Sequence, residues 1–244
     1  MTTEPESFFV HPFNQCTTWE GHSSIVDEIR SQLINNFQET QKPAALVTVA
    51  GGGGLAIGIK CNNLSRIKCI ILAILIDYEP PNSNIFPSTH FQGILLGLRR
   101  NQWSDVPMVV METEGAKCFN EALNTGHIVK LDAIRSVATS LGSLCIQKEL
   151  LEMAQSTEFN VISGVVSDRV AVDACLRFAD DHRMLVEPAC GAGLSSIYSD
   201  TFINTNHPLN IIPDDNENPI ILVVCGGDIV SIDLLLMWKN KFLL

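Results

Sequence analysis

The residues best suited to chemistry form a glycine-rich loop that directly follows a short apolar run. Ala44–Ala50 reads Ala-Ala-Leu-Val-Thr-Val-Ala, and Gly51, Gly52, Gly53 and Gly54 come next. Because glycine has no side chain, its backbone N–H groups can close around an anion such as a phosphate. A buried strand that leads into such a loop often holds a phosphorylated cofactor in α/β proteins. The pattern therefore predicts a phosphate site after residue 50, with a plain tight turn as the alternative.

A second apolar run ends in a similar way. Ile220–Cys225 reads Ile-Ile-Leu-Val-Val-Cys and continues into Gly226 and Gly227. Parallel strands bring their carboxyl ends to one edge of a sheet, where ligands gather. Cys225 then has two interpretations, a group that faces a ligand or a buried small hydrophobe, which is the usual role of a free cysteine.

The remaining chemically active residues favour structural roles. Glu187–Gly193 reads Glu-Pro-Ala-Cys-Gly-Ala-Gly and is typical of a loop that opens a helix. Trp19 and His22 are close in sequence and are better explained by packing than by catalysis. The isolated histidines at 127, 182 and 207 are predicted to lie on the surface. No spacing supports a Ser-His-Asp or Cys-His set.

Composition limits the class of protein. Apolar residues make up 46% of the 244 residues, enough for a sizeable core, and the formal net charge is −11. This charge argues against nucleic acid or an anionic membrane surface as a partner. The eight cysteines show no zinc-type spacing, and the start of the chain does not resemble a signal peptide, so we expect a cytoplasmic protein. The longest apolar run, Cys69–Ile76, is far shorter than the ~20 residues of a membrane span.

Apolar periodicity predicts an α/β fold in which strands alternate with helices. The predicted helices are Ser24–Phe37, with Ser23 or Ser24 as its N-cap, then Ile134–Met153 with a break near Gly142, and Arg169–Asp180. The predicted strands are Ala44–Ala50, Pro107–Glu112 and Ile220–Cys225. This alternation indicates a twisted, mostly parallel sheet with helices on both faces.

Residues 56–92 do not fit this pattern. They show no clear helical or strand period, and they separate the four glycines from a helix that is predicted to begin only at Gly93. A glycine loop binds phosphate best when a helix N-terminus lies directly behind it, and an insertion here would remove that support. The segment ends in Phe91-Gln92, which the bases TTTCAG or TTCCAG at an intron's 3′ boundary would encode. We therefore expect 56–92 to be translated intron.

Several motifs occur together in a specific order. They are His11-Pro-Phe-Asn14, Trp19-Glu-Gly-His22, Val49-Ala-Gly-Gly-Gly-Gly-Leu55, Asp105-Val-Pro107, Met111-Glu-Thr-Glu-Gly-Ala116, Ser136-Val-Ala138, Leu141-Gly142, Val186-Glu-Pro-Ala-Cys-Gly191 and Val224-Cys-Gly-Gly227. In this order they closely resemble the L-serine/L-threonine dehydratases, pyridoxal-phosphate enzymes of fold type II with a tryptophan-synthase-β-like fold. The resemblance covers residues 7 to about 55 and 93 to about 240. It implies a partial large domain over 7–244, interrupted at 56–92.

The resemblance implies roles for individual residues. Gly51, Gly52, Gly53 and Gly54 would cradle the phosphate of pyridoxal 5′-phosphate, and Cys225 would face the pyridine nitrogen as a neutral partner. A potassium-type monovalent cation would lie at positions that match Gly51, Ala116, Leu141 and Ser143. Glu112 and Ala116 also match part of a divalent site found in relatives. The third position of that pattern is Cys118 here, and a thiol is a poor ligand for a hard cation.

The same resemblance implies β-elimination from L-serine or L-threonine, giving pyruvate or 2-oxobutanoate plus ammonia, in an enzyme that is a homodimer. The Schiff-base lysine of the family matches no residue of this chain, because the family places it in a preceding segment together with the small domain. Lys42 stands before the first strand, and Lys60 and Lys68 belong to the insertion. We therefore expect no catalytic residue in this chain, and we expect the chain itself to be inactive. The alternatives are a non-catalytic truncated paralogue that binds the cofactor or a full-length subunit, and a β-replacing enzyme such as a cysteine or cystathionine synthase.

Overall fold

The computed structural model describes residues 16–37, 42–50, 55–60, 69–75, 89–199, 218–226 and 229–244. Its strands are β1 (Ala45–Val49), β2 (Leu55–Lys60), β3 (Cys69–Leu75), β4 (Met108–Thr113), β5 (Val161–Val166) and β6 (Ile220–Cys225). Its helices are α1 (Cys16–Phe37), α2 (Thr89–Arg100), α3 (Cys118–Thr125), α4 (Lys148–Gln155), α5 (Asp168–His182), α6 (Pro188–Tyr198) and α7 (Ile232–Phe242), and a short 3-10 turn covers Thr139–Leu141. Within these ranges, no helix combines the length and the apolar character that a membrane span requires.

The six strands form one sheet in the order β2-β3-β6-β1-β4-β5. Neighbouring strands are parallel except β2 and β3, which pair antiparallel. The central strands β1, β4 and β6 are apolar and buried, as expected of parallel strands that are covered on both faces. The predicted α/β fold with a mostly parallel sheet is therefore confirmed, and the predicted strands correspond to β1, β4 and β6.

Helices cover both faces of the sheet. A Cβ atom at Gly193 of α6 would lie 3.1 Å from Val49 Cγ1 of β1 and 3.9 Å from Leu222 Cδ1 of β6, so α6 packs closely on these two strands. Asn120 Nδ2 of α3 donates to Ser163 Oγ of β5 at 2.9 Å on the opposite face. Residues Pro188 to Ile197 of α6 are all buried, which explains why this helix is apolar on every side.

Two glycines allow α1 and α2 to cross closely. A Cβ at Gly93 would lie 2.8 Å from the carbonyl oxygen of Trp19 and 2.4 Å from His22 Cβ. A Cβ at Gly97, one turn later, would lie 2.5 Å from the carbonyl oxygen of Ser23. Trp19 and His22 therefore lie at a helix–helix contact, in agreement with the structural role predicted for them.

The prediction for the first helix was wrong at its N-terminus. The helix begins at Cys16, well before Ser24. Ser23 and Ser24 donate through Oγ to backbone carbonyls three residues earlier, at 2.6 and 2.8 Å, so neither serine is the N-cap. A serine in a helix interior can satisfy its hydroxyl in this way, and sequence alone does not distinguish it from a cap.

The predicted helix over Ile134–Met153 was also wrong in its first half. Only Lys148–Gln155 is an α-helix, and the residues before it form a loop with the single 3-10 turn. This loop is fixed by long-range hydrogen bonds, including Ser136 Oγ to Asp168 Oδ1 at 2.6 Å. Apolar residues at helical spacing mark buried positions of this loop, and tertiary contacts determine its conformation.

The segment 56–92 contains more regular structure than its sequence indicated. Strands β2 and β3 form an antiparallel hairpin within it, and β3 pairs with β6 along the whole of Ile220–Cys225. Helix α2 begins at Thr89, four residues before the predicted start, so Phe91 and Gln92 belong to its first turn. The apolar run at Cys69 forms an ordinary strand of the sheet.

Candidate functional site

The strands that precede the two glycine-rich segments are direct neighbours. β1 and β6 pair in parallel with Ala45 opposite Ile220 and Val47 opposite Leu222. Continuing this register places Ala50 opposite Cys225, and neighbouring strands lie about 4.8 Å apart. Gly51–Gly54 and the side chain of Cys225 lie outside the described residues, but the strands that carry them end at the same edge of the sheet.

The N-terminus of α6 reaches the same edge. Cys190 Sγ, almost fully buried, donates to the carbonyl oxygen of Gly226 at 3.1 Å, which joins the first turn of α6 to the residue after β6. Glu187 is the N-cap residue of this helix and Pro188 is its first residue. Proline is favoured there because its missing N–H would have no partner within the helix. Residues 187–193 thus open a helix, and they also line this edge.

Glu187 places a largely buried carboxyl group beside the loop between α3 and α4. Ser140 Oγ donates to Glu187 Oε2 at 2.5 Å. Burial raises the pKa of the Glu187 carboxyl, and the hydrogen bond from Ser140 partly opposes this shift. Sequence reasoning treated this segment as a helix opening and did not identify the carboxyl as part of a site.

Glu112 forms the second buried carboxyl at this edge. It lies near the end of β4 with no solvent exposure, and its two oxygens accept from the backbone N–H groups of Phe119 at 3.0 Å and Asn120 at 2.7 Å. These N–H groups belong to the first turn of α3, where an acidic group is favourable. Burial nevertheless raises the pKa of Glu112 to about 8, because desolvation outweighs both hydrogen bonds.

Ala116, Leu141 and Ser143 lie in two tight turns, one directly after β4 and one in the loop before α4. Ala116 N donates to the carbonyl of Thr113 at 2.8 Å, and Ser143 N donates to the carbonyl of Leu141 at 2.7 Å. All three residues are buried. Cys118 interacts with the Ser143 side chain, and burial first, then the charge of Glu112, raises the pKa of its thiol. The structure therefore brings Glu112, Cys118 and Ser143 together.

These residues fit a monovalent cation better than a divalent one. Both oxygens of Glu112 already accept backbone hydrogen bonds, and Cys118 offers a thiol that is strongly held in its protonated form. Among the described residues, no group of three or more His, Cys, Asp or Glu could hold a metal ion. A buried carboxyl whose pKa is raised by desolvation favours a nearby positive charge, and backbone carbonyls can supply the direct ligands.

Lys42, His127 and His182 lie away from the β1 and β6 carboxyl ends. Lys42 Nζ pairs with Asp105 Oδ1 at 2.7 Å, and both residues precede strands, so they lie at the opposite edge of the sheet. His127 is exposed, and His182 packs against Phe178 with ring centroids 4.7 Å apart. The side chain of Lys60, and residues Lys68 and His207, lie outside the described residues.

A hydrogen-bonded chain at this edge was missed by sequence reasoning. Thr113 Oγ1 donates to Ser136 Oγ at 2.8 Å, and Ser136 Oγ donates to Asp168 Oδ1 at 2.6 Å. Asp168 is the first residue of α5, directly after β5. The single available signal was an aspartate at a helix start, which is common in proteins and indicates no particular partner.

Comparisons with known proteins agree with this fold. The family described as "Pyridoxal-phosphate dependent enzyme" matches residues 88–208. L-serine dehydratase from Dictyostelium discoideum is 35% identical over 226 residues, which are 92% of this chain and 51% of that protein. A protein of Saccharomyces cerevisiae whose name describes a truncated L-serine dehydratase is 35% identical, and the match covers 93% of this chain and 89% of that protein.

Solved structures give the same result. The crystal structure of a fungal L-serine ammonia-lyase from Rhizomucor miehei is similar with a TM-score of 0.70 and 26% identity. That match covers 96% of this chain and 59% of the fungal chain. The chain spans about half the length of the Dictyostelium discoideum relative that it matches.

Proposed function

Because the chain belongs to the pyridoxal-phosphate-dependent L-serine dehydratase family, we propose that it serves the β-elimination of L-serine. L-Threonine is the second substrate of this proposal, with pyruvate or 2-oxobutanoate plus ammonia as products. The observation that carries the proposal is the parallel register of β1 and β6, because both strands end at one edge of the sheet, directly before the two glycine-rich segments. Ligands of open α/β sheets bind at this edge.

The proposed cofactor site lies between the two glycine-rich segments. Gly51–Gly54 would hold the phosphate through backbone N–H groups, and Cys225 would face the ring nitrogen. The bound cofactor supplies an electron-withdrawing ring that stabilises negative charge on the substrate α-carbon. The chain's own contribution is orientation. The contact between Cys190 and Gly226 supports this role because it fixes the backbone that follows Cys225.

The proposed cation site is monovalent and lies beside Glu112. The carbonyls of Gly51, Ala116, Leu141 and Ser143 would line it. A cation there would favour the ionised form of the buried Glu112 carboxyl, which would keep its hydrogen bonds to α3. A cation there would hold the end of β4 and the loop before α4 in fixed positions beside the cofactor.

We also propose that residues 56–92 are an insertion within a partial large domain that spans 7–244. Gln92 supports this proposal, since it is fully buried and neither of its amide atoms has a hydrogen-bond partner among the described residues. Buried amides in native proteins are nearly always paired. The family match begins at residue 88, close to the end of the segment. Sequencing of the messenger RNA tests the idea, and abundant reads that contain this segment in frame would contradict it.

The assembly and location proposed here follow the same family. A homodimer in the cytoplasm is the expected state, and an amino acid is the expected substrate. The eight cysteines support a reducing compartment, because the four that the structure describes as free include three buried ones. Size-exclusion chromatography with light scattering tests the dimer.

Cofactor binding is the first test of the proposed function. Pyridoxal phosphate added to the purified chain should quench its tryptophan fluorescence to a saturating level, which would show that the cofactor binds. The Cys225→Ala variant should bind the cofactor more weakly. Cys145→Ala is the matched control, because Cys145 is a half-buried free cysteine on the loop before α4. Pyruvate release from L-serine, measured with protein purified from its native source, tests the reaction. Failure of the wild-type chain to bind the cofactor would contradict the proposed site.

A further inference from the structure

Two carboxyl groups outside the proposed cofactor and cation ligands hold the loop over residues 136–143. Asp168 begins α5 and Glu187 precedes α6, and each lies at the carboxyl edge of the sheet. Asp168 accepts from the loop at residues 136 and 137, and Glu187 accepts from Ser140. The loop is therefore attached at two separate points to the starts of two helices that pack on the sheet.

The attachment through Asp168 uses both of its oxygens. Ser136 Oγ donates to Oδ1 at 2.6 Å and Val137 N donates to Oδ2 at 3.0 Å. Ser136 Oγ also accepts from Thr113 Oγ1 at 2.8 Å and from Ala138 N at 2.9 Å. One half-buried carboxylate thus links the end of β4, the start of α5 and the first three residues of the loop. Hydrogen bonds to a charged acceptor are the stronger kind.

Short-range hydrogen bonds connect residues 136–138 to the other end of the loop, at residues 141–143. Leu141 N donates to the carbonyl of Ala138 at 3.0 Å, and Ser143 N donates to the carbonyl of Leu141 at 2.7 Å. Ser143 Oγ donates to the carbonyl of Cys145 at 2.5 Å. Because each turn is closed on itself, the position of residues 136–138 determines where the carbonyls of Leu141 and Ser143 point.

We infer that Asp168 is a positioning residue for the monovalent cation, with Glu187 as the second anchor of the same loop. This inference rests on the proposed cation site, whose ligands include the carbonyls of Leu141 and Ser143. Asp168 acts on these carbonyls through Ser136 and Val137, without contact to the ion. Partners that orient metal ligands in this indirect way typically change metal affinity by about 10- to 100-fold when they are removed.

The test measures the melting temperature of the purified chain as a function of KCl concentration, with tetramethylammonium chloride holding the ionic strength constant. Specific binding raises the melting temperature, and the KCl concentration at which this rise begins marks the binding midpoint, that is, the apparent dissociation constant. Asp168→Ala should move this midpoint at least about tenfold upward, and Asp168→Asn and Ser136→Ala should shift it less. Asp132→Asn is the control, because Asp132 is exposed and pairs with Arg135 near the same loop.

The possible outcomes distinguish failure of the positioning role of Asp168 from failure of the proposed cation site. A purely structural role for Asp168 would lower the melting temperature equally at every KCl concentration and leave the midpoint unchanged, which would overturn the inference. A wild-type chain without a potassium-specific response would overturn the proposed cation site and this inference together, while leaving the cofactor site unaffected. If Asp168→Ala does not fold, Asp168→Asn and Ser136→Ala decide the question by the same midpoint.

Discussion

Replacement of Gln92 by methionine should stabilise this protein. Gln92 lies in the first turn of α2 and has no solvent exposure, and within the described part of the chain neither Nε2 nor Oε1 has a hydrogen-bond partner. Methionine has nearly the same length and volume and carries no amide. The substitution therefore removes a desolvated polar group and leaves the packing around Phe91 and Phe119, whose rings lie 5.0 Å apart, in place.

The expected gain follows from the cost of a buried unpaired amide. Mutational data place this cost at roughly 1–3 kcal/mol, and volume-conserving apolar changes cost less than about 1.5 kcal/mol. We therefore expect Gln92→Met to raise the free energy of unfolding by about 1–2 kcal/mol. For a chain of this size, 1 kcal/mol corresponds to a rise in melting temperature of about 2–4 °C.

Urea denaturation followed by circular dichroism measures the effect. The midpoint should rise for Gln92→Met while the slope stays constant, since an unchanged slope shows that the same surface is exposed on unfolding. Gln155→Met is the matched control, because Gln155 ends α4 at an exposed position. A lower midpoint for Gln92→Met would refute the reasoning, since it would show that the amide has a partner in the folded protein.

Two further predictions concern packing and pH. Gly97→Ala should lower the free energy of unfolding, measured by urea denaturation, by about 1–3 kcal/mol. The reason is that the new Cβ would overlap the carbonyl of Ser23 and the side chain of Val26. An unchanged urea midpoint would show that α1 and α2 separate easily. The raised pKa of Glu112, about 8 against an ordinary 4.5, means that the folded state retains a proton which the unfolded state releases. The contribution of this group to the free energy of unfolding should be fully present below about pH 4.5 and should be lost as the pH rises through about 8. In a Glu112→Gln variant, the free energy of unfolding should no longer fall with pH over this range on account of this group. A slope that Glu112→Gln leaves unaltered would contradict the assignment.

Strands were the most predictable part of this fold. β6 was predicted with its full range because Ile220–Cys225 is a continuous apolar run with turn residues on both sides. β5 was not predicted, since Val161–Val166 contains Ser163 and Gly164 and only Gly164 and Val166 are buried. Its place at the edge of the sheet explains the mixed composition, because an edge strand needs less apolar surface.

The candidate site likewise contains some residues that could be predicted from the sequence and others that could not. Glycine runs and Cys225 could be recognised because they are contiguous in sequence and follow apolar strands. Asp168 and Glu187 could not, because their partners Ser136 and Ser140 lie 32 and 47 residues away along the chain. Isolated carboxyl groups at helix starts give no sequence signal that separates a cap from a loop anchor. Only the fold shows that these two hold the same loop.

The hairpin formed by β2 and β3 connects the proposed insertion over 56–92 to the strand that leads to Cys225. Its strand β3 pairs with β6 in parallel along all of Ile220–Cys225, and β1 pairs with β6 on the other side. The strand that leads to Cys225 therefore uses backbone groups on both of its edges. A strand from elsewhere in the protein or from a second copy could pair with β6 only by displacing β3. Strand β3 thus lies directly beside β6, the strand that leads to Cys225 in the proposed cofactor site.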